Sequence, residues 1–141
     1  AGTDHYLYTH ESGLDDGSTE PASAIAAYIE SSQFDIGEGD QFSFINKLIP
    51  DLTFRNSTTS SPKATFTLQT RNFPGGAYLQ SDVKDVTRLS AATSSVVEQF
   101  TDQVNLRIRG RSFAVKVASS DTGVTWRLGS PRVDVKPDGR R

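Results

Sequence analysis

Apolar and polar residues alternate in several short segments of this chain. Residues 64–70 place Phe66 and Leu68 between polar neighbours, and residues 112–118 show the same alternation. Because successive side chains of a β-strand point to opposite faces, this pattern predicts strands with one buried face. Gly, Pro, Asn and Asp separate the segments, as is typical of turns. The pattern therefore predicts a mainly β chain with little helix.

The alternation predicts roughly eight strands. They cover residues 5–11, 22–31, 41–54, 64–70, 96–109, 112–118, 125–128 and 131–135. Pro50 interrupts the third of these, and since proline cannot donate a ladder hydrogen bond, we expect it at an edge or bulge. That segment is then one bent strand or two strands. Residues 110–111 are expected to join the two strands beside them into a hairpin.

Two segments have weaker patterns. Residues 22–31 contain several alanines, which favour a helix, but Ile25 and Ile29 belong to an alternating series, so we predict a strand. Residues 77–95 are expected to form a long exposed loop with a short strand at 86–89. Many short strands with turns between them indicate one domain over residues 1–141, an antiparallel β-sandwich of jelly-roll-like type.

The composition limits the possible chemistry. The chain has 141 residues, which suits one domain, and it has no cysteine, which excludes disulfides and thiolate metal sites. No apolar run approaches the roughly 20 residues that a membrane helix needs, so no membrane contact is expected. The chain also lacks methionine, even at position 1. This indicates either a C-terminal domain or fragment of a larger protein, or removal of an initiator methionine.

Charge is distributed unevenly along the chain. Residues 1–60 contain ten acidic and two basic residues, whereas residues 61–141 contain seven acidic and thirteen basic ones, and the whole chain has a net charge of -2. Two interpretations are open. The two halves face each other within one fold, or an acidic face on one copy contacts a basic face on the next copy.

Candidate catalytic and metal-binding residues are few. His5 and His10 fall on opposite faces of a predicted strand, which does not favour a shared metal ion. The sequence has neither the turn of a serine hydrolase nor a glycine pattern for binding phosphates. Residues 35–40 could bind calcium through oxygen ligands, but the EF-hand spacing and its late glutamate are absent, and glycines and aspartates also form tight turns with no ion, which is the favoured interpretation. We therefore expect no enzyme activity, no cofactor and no small-molecule substrate.

The most distinctive basic feature is the run Arg107, Arg109 and Arg111. The first two share a strand face, and guanidinium groups suit bidentate contact with carboxylates or phosphates. Three interpretations are open, namely a solvated face, an ion-paired contact with a neighbouring subunit, and a phosphate contact. Trp126, the one tryptophan, is expected to lie in the core.

Several motifs resemble a family of tailed-phage virion proteins. They are residues 97–101 (Val-Glu-Gln-Phe-Thr), 107–111 (Arg-Ile-Arg-Gly-Arg), 123–132, and the ending Pro-Asp-Gly-Arg-Arg at 137–141. Together with residues 27–40 and 49–51, the resemblance covers most of the chain from about residue 22 onward. In longer relatives this segment closes a tail or connector protein of the nozzle, hub or stabilisation type.

The resemblance implies a structural component of a tailed-phage virion, in the tail or at the head–tail junction, assembled in the host cytoplasm. Its expected partners are copies of itself and other phage structural proteins, with DNA contact less favoured. The expected interface residues are arginines, namely Arg107, Arg109, Arg111, Arg140 and Arg141. The alternative is a carbohydrate- or receptor-binding module of a phage tail with exposed tyrosines, namely Tyr6, Tyr8, Tyr28 or Tyr78.

Overall fold

A computed structural model describes Leu7, residues 13–72 and residues 92–139. The predicted strand at 5–11, both histidines, and Tyr6, Tyr8 and Tyr78 lie outside this part, apart from Leu7. So do the predicted short strand at 86–89 and the two terminal arginines, Arg140 and Arg141. Within the described residues the chain is all β, as the alternation predicts, and it contains no helix.

The described residues form strands of two to nine residues. They are β1 (Asp15–Asp16), β2 (Ser23–Ala24), β3 (Ala27–Glu30), β4 (Phe34–Asp35), β5 (Ser43–Ile49), β6 (Leu52–Thr53), β7 (Lys63–Arg71), β8 (Ala92–Glu98), β9 (Val104–Gly110), β10 (Ser112–Ser119), β11 (Arg127–Leu128) and β12 (Arg132–Pro137). All pairings among them are antiparallel.

Two sheets carry the fold. In the five-stranded sheet, β10 lies between β7 and a broken edge made of β3 and β4, and β8 pairs with the other side of β7. In the three-stranded sheet, β5 lies between β12 and β9. The remaining four strands form two small two-stranded sheets, β1 with β2 and β6 with β11.

The two sheets share one core. Phe66, Leu68 and Phe113 of the five-stranded sheet pack in the same buried cluster as Ile45 and Ile108 of the three-stranded sheet. In β7 every second side chain is buried, as the alternation predicts. The architecture is therefore sandwich-like, in agreement with the predicted fold class.

The predicted hairpin at residues 110–111 is wrong. β9 pairs with β5 in the three-stranded sheet, whereas β10 pairs with β7 in the five-stranded sheet. The chain therefore crosses from one sheet to the other at this point. The Arg111 N–H donates to the Arg71 carbonyl at 3.0 Å, which aligns the start of β10 with the end of β7.

Residues 96–109 do not form one regular stretch. β8 ends at Glu98, and the chain turns before β9 begins at Val104. The Thr101 N–H donates to the Glu98 carbonyl at 3.1 Å, and the Thr101 hydroxyl accepts from the Glu98 N–H at 3.0 Å. Phe100, an apolar residue of this predicted strand, is 88% exposed in the turn.

The other differences between the predicted strands and those of the structure are smaller. Residues 92–95 belong to β8 and not to the predicted long loop. Pro50 lies between β5 and β6, outside both ladders, so residues 41–54 form two strands. Residues 22–31 form the two short strands β2 and β3, which confirms extended structure over helix.

Candidate interface on the outer face of the three-stranded sheet

The register of the three-stranded sheet decides which side chains face outward. Lys47 lies opposite Asp134 of β12 and Asn105 of β9, and Phe44 lies opposite Lys136 and Arg109. These residues alternate with the buried Ile45, Leu48, Leu106 and Ile108, so their side chains form the opposite, outer surface.

We call this outer surface the basic face. It carries five cationic side chains and, among the described residues of the three strands, a single acidic one. The cations are Lys47, Arg107, Arg109, Arg132 and Lys136, and the acidic residue is Asp134. Such an excess of one sign on one side of a sheet produces a positive local field, although the whole chain is close to neutral.

Arg107 and Arg109 share this face, as predicted, but they differ in their contacts. The Arg109 Nε donates to the Asp138 carboxylate, and its Nη2 donates to the Asp138 carbonyl at 3.2 Å. Its guanidinium also lies 3.9 Å from the centre of the Phe42 ring. Arg107 is exposed and makes no such contact with the described residues. Arg109 therefore stabilises its own domain, whereas Arg107 presents its charge to the solvent.

Arg111 does not belong to the basic face. It follows the crossing between the sheets and is half-buried, with its guanidinium 4.8 Å from the centre of the same Phe42 ring. Phe42 is held in place by backbone bonds that extend the β5–β12 ladder, since its N–H donates to the Gly139 carbonyl at 2.7 Å. The arginine run thus divides into one solvent-facing residue and two that contact Phe42.

Sequence reasoning missed Lys47, Arg132 and Lys136. A signal was present, since Arg132, Asp134 and Lys136 alternate with Val133 and Val135 in β12. The apolar members of that strand turn toward the core. Its charged members must therefore turn outward, beside Lys47.

On the outer surface of the five-stranded sheet, unlike on the basic face, the lysines lie close to carboxylates. The Lys116 Nζ lies 3.4 Å from the Glu30 carboxylate, and the Lys63 Nζ lies 3.8 Å from the Asp121 carboxylate. The Lys116 ammonium also lies 4.5 Å from the centre of the Tyr28 ring. Positive and negative groups therefore balance locally on this side of the sandwich.

The acidic turn at residues 35–40 is tight. Gly37 and Gly39 adopt positive φ angles of 77° and 73°, and a Cβ on Gly39 would lie 3.2 Å from the Asp35 carboxyl carbon. This backbone requires glycine, as the sequence indicates. In the part of the chain that the structure describes, no group of three acidic or histidine side chains is arranged to hold a metal ion.

An acidic hairpin, residues 15–24, is attached to the body of the domain by Asp15. Both oxygens of the Asp15 carboxylate accept from the Gly123 N–H, at 2.7 and 2.9 Å. Asp16 and Glu20 of the same hairpin are exposed. The Ser18 N–H donates to the Asp16 carboxylate at 2.9 Å and lowers the pKa of Asp16, which favours its ionised form.

Trp126 packs at the margin of the core and not at its centre. It is half-buried against the core cluster, and its Nε1 donates to the Ser119 hydroxyl at 2.9 Å. The predicted core position is therefore confirmed in part. A buried indole N–H needs such a partner, and Ser119 supplies it from the end of β10.

Comparison with known proteins adds no family assignment. No model of a known protein family matches the chain, and no curated protein matches it. The described residues contain no helix, so none of them forms a membrane-spanning helix.

Proposed function

We propose that this chain is a structural component of a tailed-phage virion, in the tail or at the head–tail junction, that acts through protein–protein contacts. The observation that carries the proposal is the basic face. It is the outer surface of the three-stranded sheet, on which several charged side chains point to the solvent. The likeness of residues 97–101, 107–111 and 137–141 to tailed-phage virion proteins supports the same function.

Charge separation supports assembly into a repeated structure. A ring of identical subunits needs two different faces that complement each other. The first 46 residues contain nine acidic residues and neither lysine nor arginine, whereas the basic face comes from strands further along the chain. The basic face is thus suited to docking between copies of the chain in a particle. Other phage structural proteins are further expected partners, and DNA is a less favoured partner.

The proposed location is tested on intact particles. A copy of the chain with an epitope tag after Arg141 would be expressed during infection, and the particles would be purified on a density gradient. We expect the tag to sediment with infectious particles and immunogold to label the tail or the junction. A tag that stays in the unassembled fraction would contradict the proposal, and an unrelated tagged β protein serves as the control.

A carbohydrate-binding module is the second candidate, because one tyrosine is placed for such contact. Tyr28 is 67% exposed on the outer surface of the five-stranded sheet, beside a hollow of about 240 Å³ that includes Lys63 and Asp121. Exposed aromatic rings offer an apolar face next to polar groups. A glycan-array screen of the wild-type chain and of Tyr28→Ala tests this candidate. Glycan binding that is lost in Tyr28→Ala would favour a carbohydrate-binding module, and no binding by the wild-type chain would count against it.

A further inference from the structure

Most cations of the basic face form no ion pair with the part of the chain that the structure describes. Arg109 is paired with Asp138. The other four, Lys47, Arg107, Arg132 and Lys136, form no ion pair with any described residue. Lysine and arginine side chains in this state interact with an external anion at little cost, because none of the described carboxylates has to be released first.

The arrangement of these cations follows the strands. Arg107 lies on the edge strand β9, Lys47 lies on the central strand β5, and Arg132 and Lys136 lie on the opposite edge strand β12. Neighbouring strands are about 4.8 Å apart, so the cations extend across the full width of the sheet. A partner that presents two or more anionic groups can contact cations of both edge strands together, whereas a single small anion cannot.

The same chain carries a surface of opposite charge. The acidic hairpin has three acidic residues and no basic one, and its connection to Gly123 fixes it on the domain. Asp16 and Glu20 point to the solvent, and the pKa of Asp16 is lowered by the Ser18 N–H. β1 and β2 pair only with each other among the described strands, so the hairpin is not part of the three-stranded sheet.

The other acidic turn fits this role less well. Glu38 and Asp40 line a hollow with Val135 and Pro137 of β12, and this hollow lies on the core-facing side of the three-stranded sheet, not on the basic face. Residues 35–40 thus contact an end of their own three-stranded sheet. Among the described strands, β1 and β2 of the acidic hairpin pair only with each other.

We propose that the basic face binds the acidic hairpin of a second copy of this chain. The contact joins two different surfaces, so it is heterologous, and repetition of it produces a ring or a filament. Arg107 and Arg132 form ion pairs with Asp16 and Glu20 of the neighbour. This inference rests on the proposed assembly function, to which it adds the identity of the two contacting surfaces.

Charge-reversal variants test the contact in solution. In a basic-reversed variant, Arg107→Glu is combined with Arg132→Glu, and in an acid-reversed variant, Asp16→Lys is combined with Glu20→Lys. The control combines Arg55→Glu with Arg127→Glu, which are exposed residues outside the basic face, so the net charge change equals that of the basic-reversed variant. Circular dichroism verifies that each variant is folded, and sedimentation velocity measures self-association.

We expect the wild-type chain and the control to self-associate at low salt and to dissociate at about 1 M NaCl, where the screening length is only about 3 Å. Each reversed variant should associate at least about tenfold more weakly, because like charges then face each other. An equal mixture of the two reversed variants should associate again, because both contacts between one variant and the other pair opposite charges.

Several results would overturn the inference. They are a wild-type chain that stays monomeric at low salt, a basic-reversed variant that associates as the wild type does, and a mixture that does not recover. Binding of labelled duplex DNA that is lost in the basic-reversed variant, without self-association of the wild type, would also overturn it and assign the face to a polyanion. If the tagged chain is nevertheless found in particles, the virion function stands and only this contact is removed.

Discussion

Gly110 lies so close to Thr70 that a Cβ on the glycine would be 2.6 Å from the Thr70 Cβ. The two residues belong to different sheets, since Gly110 ends β9 and Thr70 lies in β7. Both are buried at the point where the chain crosses from one sheet to the other. The crossing therefore depends on the absence of a side chain at position 110.

Gly110→Ala should destabilise the domain. Because the methyl group would force the two sheets apart, we expect the free energy of unfolding to fall by about 1–3 kcal/mol, as measured by urea titration. Gly17→Ala is the matched control, since a Cβ at Gly17 meets no atom within 4 Å, and its effect should stay within about 0.5 kcal/mol. Equal stability of the two variants would contradict the close approach of the sheets.

The two arginines of β9 should differ in their effect on stability. Arg109→Ala removes the partly exposed ion pair with Asp138 and the stacking on Phe42, so we expect a loss of about 1 kcal/mol. Arg107→Ala removes a solvent-facing side chain and should change stability by about 0.5 kcal/mol or less. Thermal unfolding of the two variants measures the difference. A larger loss for Arg107→Ala would show that the assigned contacts are wrong.

Asp15 should hold the acidic hairpin on the domain. Asp15→Ala leaves the Gly123 N–H without its carboxylate acceptor, which should cost about 1.5–3 kcal/mol, since hydrogen bonds to charged groups are the stronger ones. Hydrogen exchange of the Gly123 amide should become faster. Asp102→Ala, at an exposed acidic residue, is the control and should leave this exchange unchanged. Unchanged exchange in Asp15→Ala would disprove the attachment.

Asp16 should titrate below the usual range of an aspartate. The backbone N–H of Ser18 is the main cause of its lowered pKa, and the Ser18 side chain is the second. Because the pKa is lower in the folded state, the ionised carboxylate stabilises the fold above the unfolded-state pKa. That stabilisation is lost as the pH falls through the folded-state pKa.

A carboxyl-detected NMR titration measures this pKa. Ser18→Ala keeps the backbone N–H, so the pKa of Asp16 should stay below its ordinary value. Ser18→Pro removes that N–H and should return the pKa toward the ordinary value. An ordinary pKa in the wild-type chain would contradict the hydrogen bond.

The local strand pattern was predictable from the sequence, but the pairing of strands was not. Alternation identifies the buried faces of β7 and β10 because it depends only on neighbouring residues. A hairpin and a crossing between sheets both place Ile108 and Phe113 in the core, so alternation does not distinguish them. The distinction depends on distant partners, since Ile108 lies opposite Ile45 and Phe113 lies opposite Thr70.

The turn between β8 and β9 could not be predicted from alternation. Val96, Phe100 and Val104 are in phase, as on one face of a continuous strand. The structure instead buries Val97 and exposes Val96 and Phe100, because the strand ends before Val104. β8 itself has few large apolar residues in its first half, and its pairing with β7 could not be predicted from hydrophobicity.

The basic face was predicted only in part. Arg107 and Arg109 attract notice because they are close in sequence, whereas Lys47 and Lys136 come from strands far apart in the chain. Only the register of β5 with β12 and β9 brings these residues onto one surface. The charge asymmetry of the sequence is consistent both with contact between the halves of one fold and with contact between copies, and it does not indicate which strands carry the cations.

Cysteine cross-linking between copies tests the central claim most directly, because the chain has no cysteine of its own. Asn105→Cys places a thiol on the basic face, and Ala22→Cys places one on the acidic hairpin, without changing any charged residue. A short bismaleimide should join the two variants into a heterodimer when they are mixed at low salt. Val96→Cys, exposed on the five-stranded sheet, should give no such product with Ala22→Cys. Equal yields from the two mixtures would contradict docking of the acidic hairpin on the basic face.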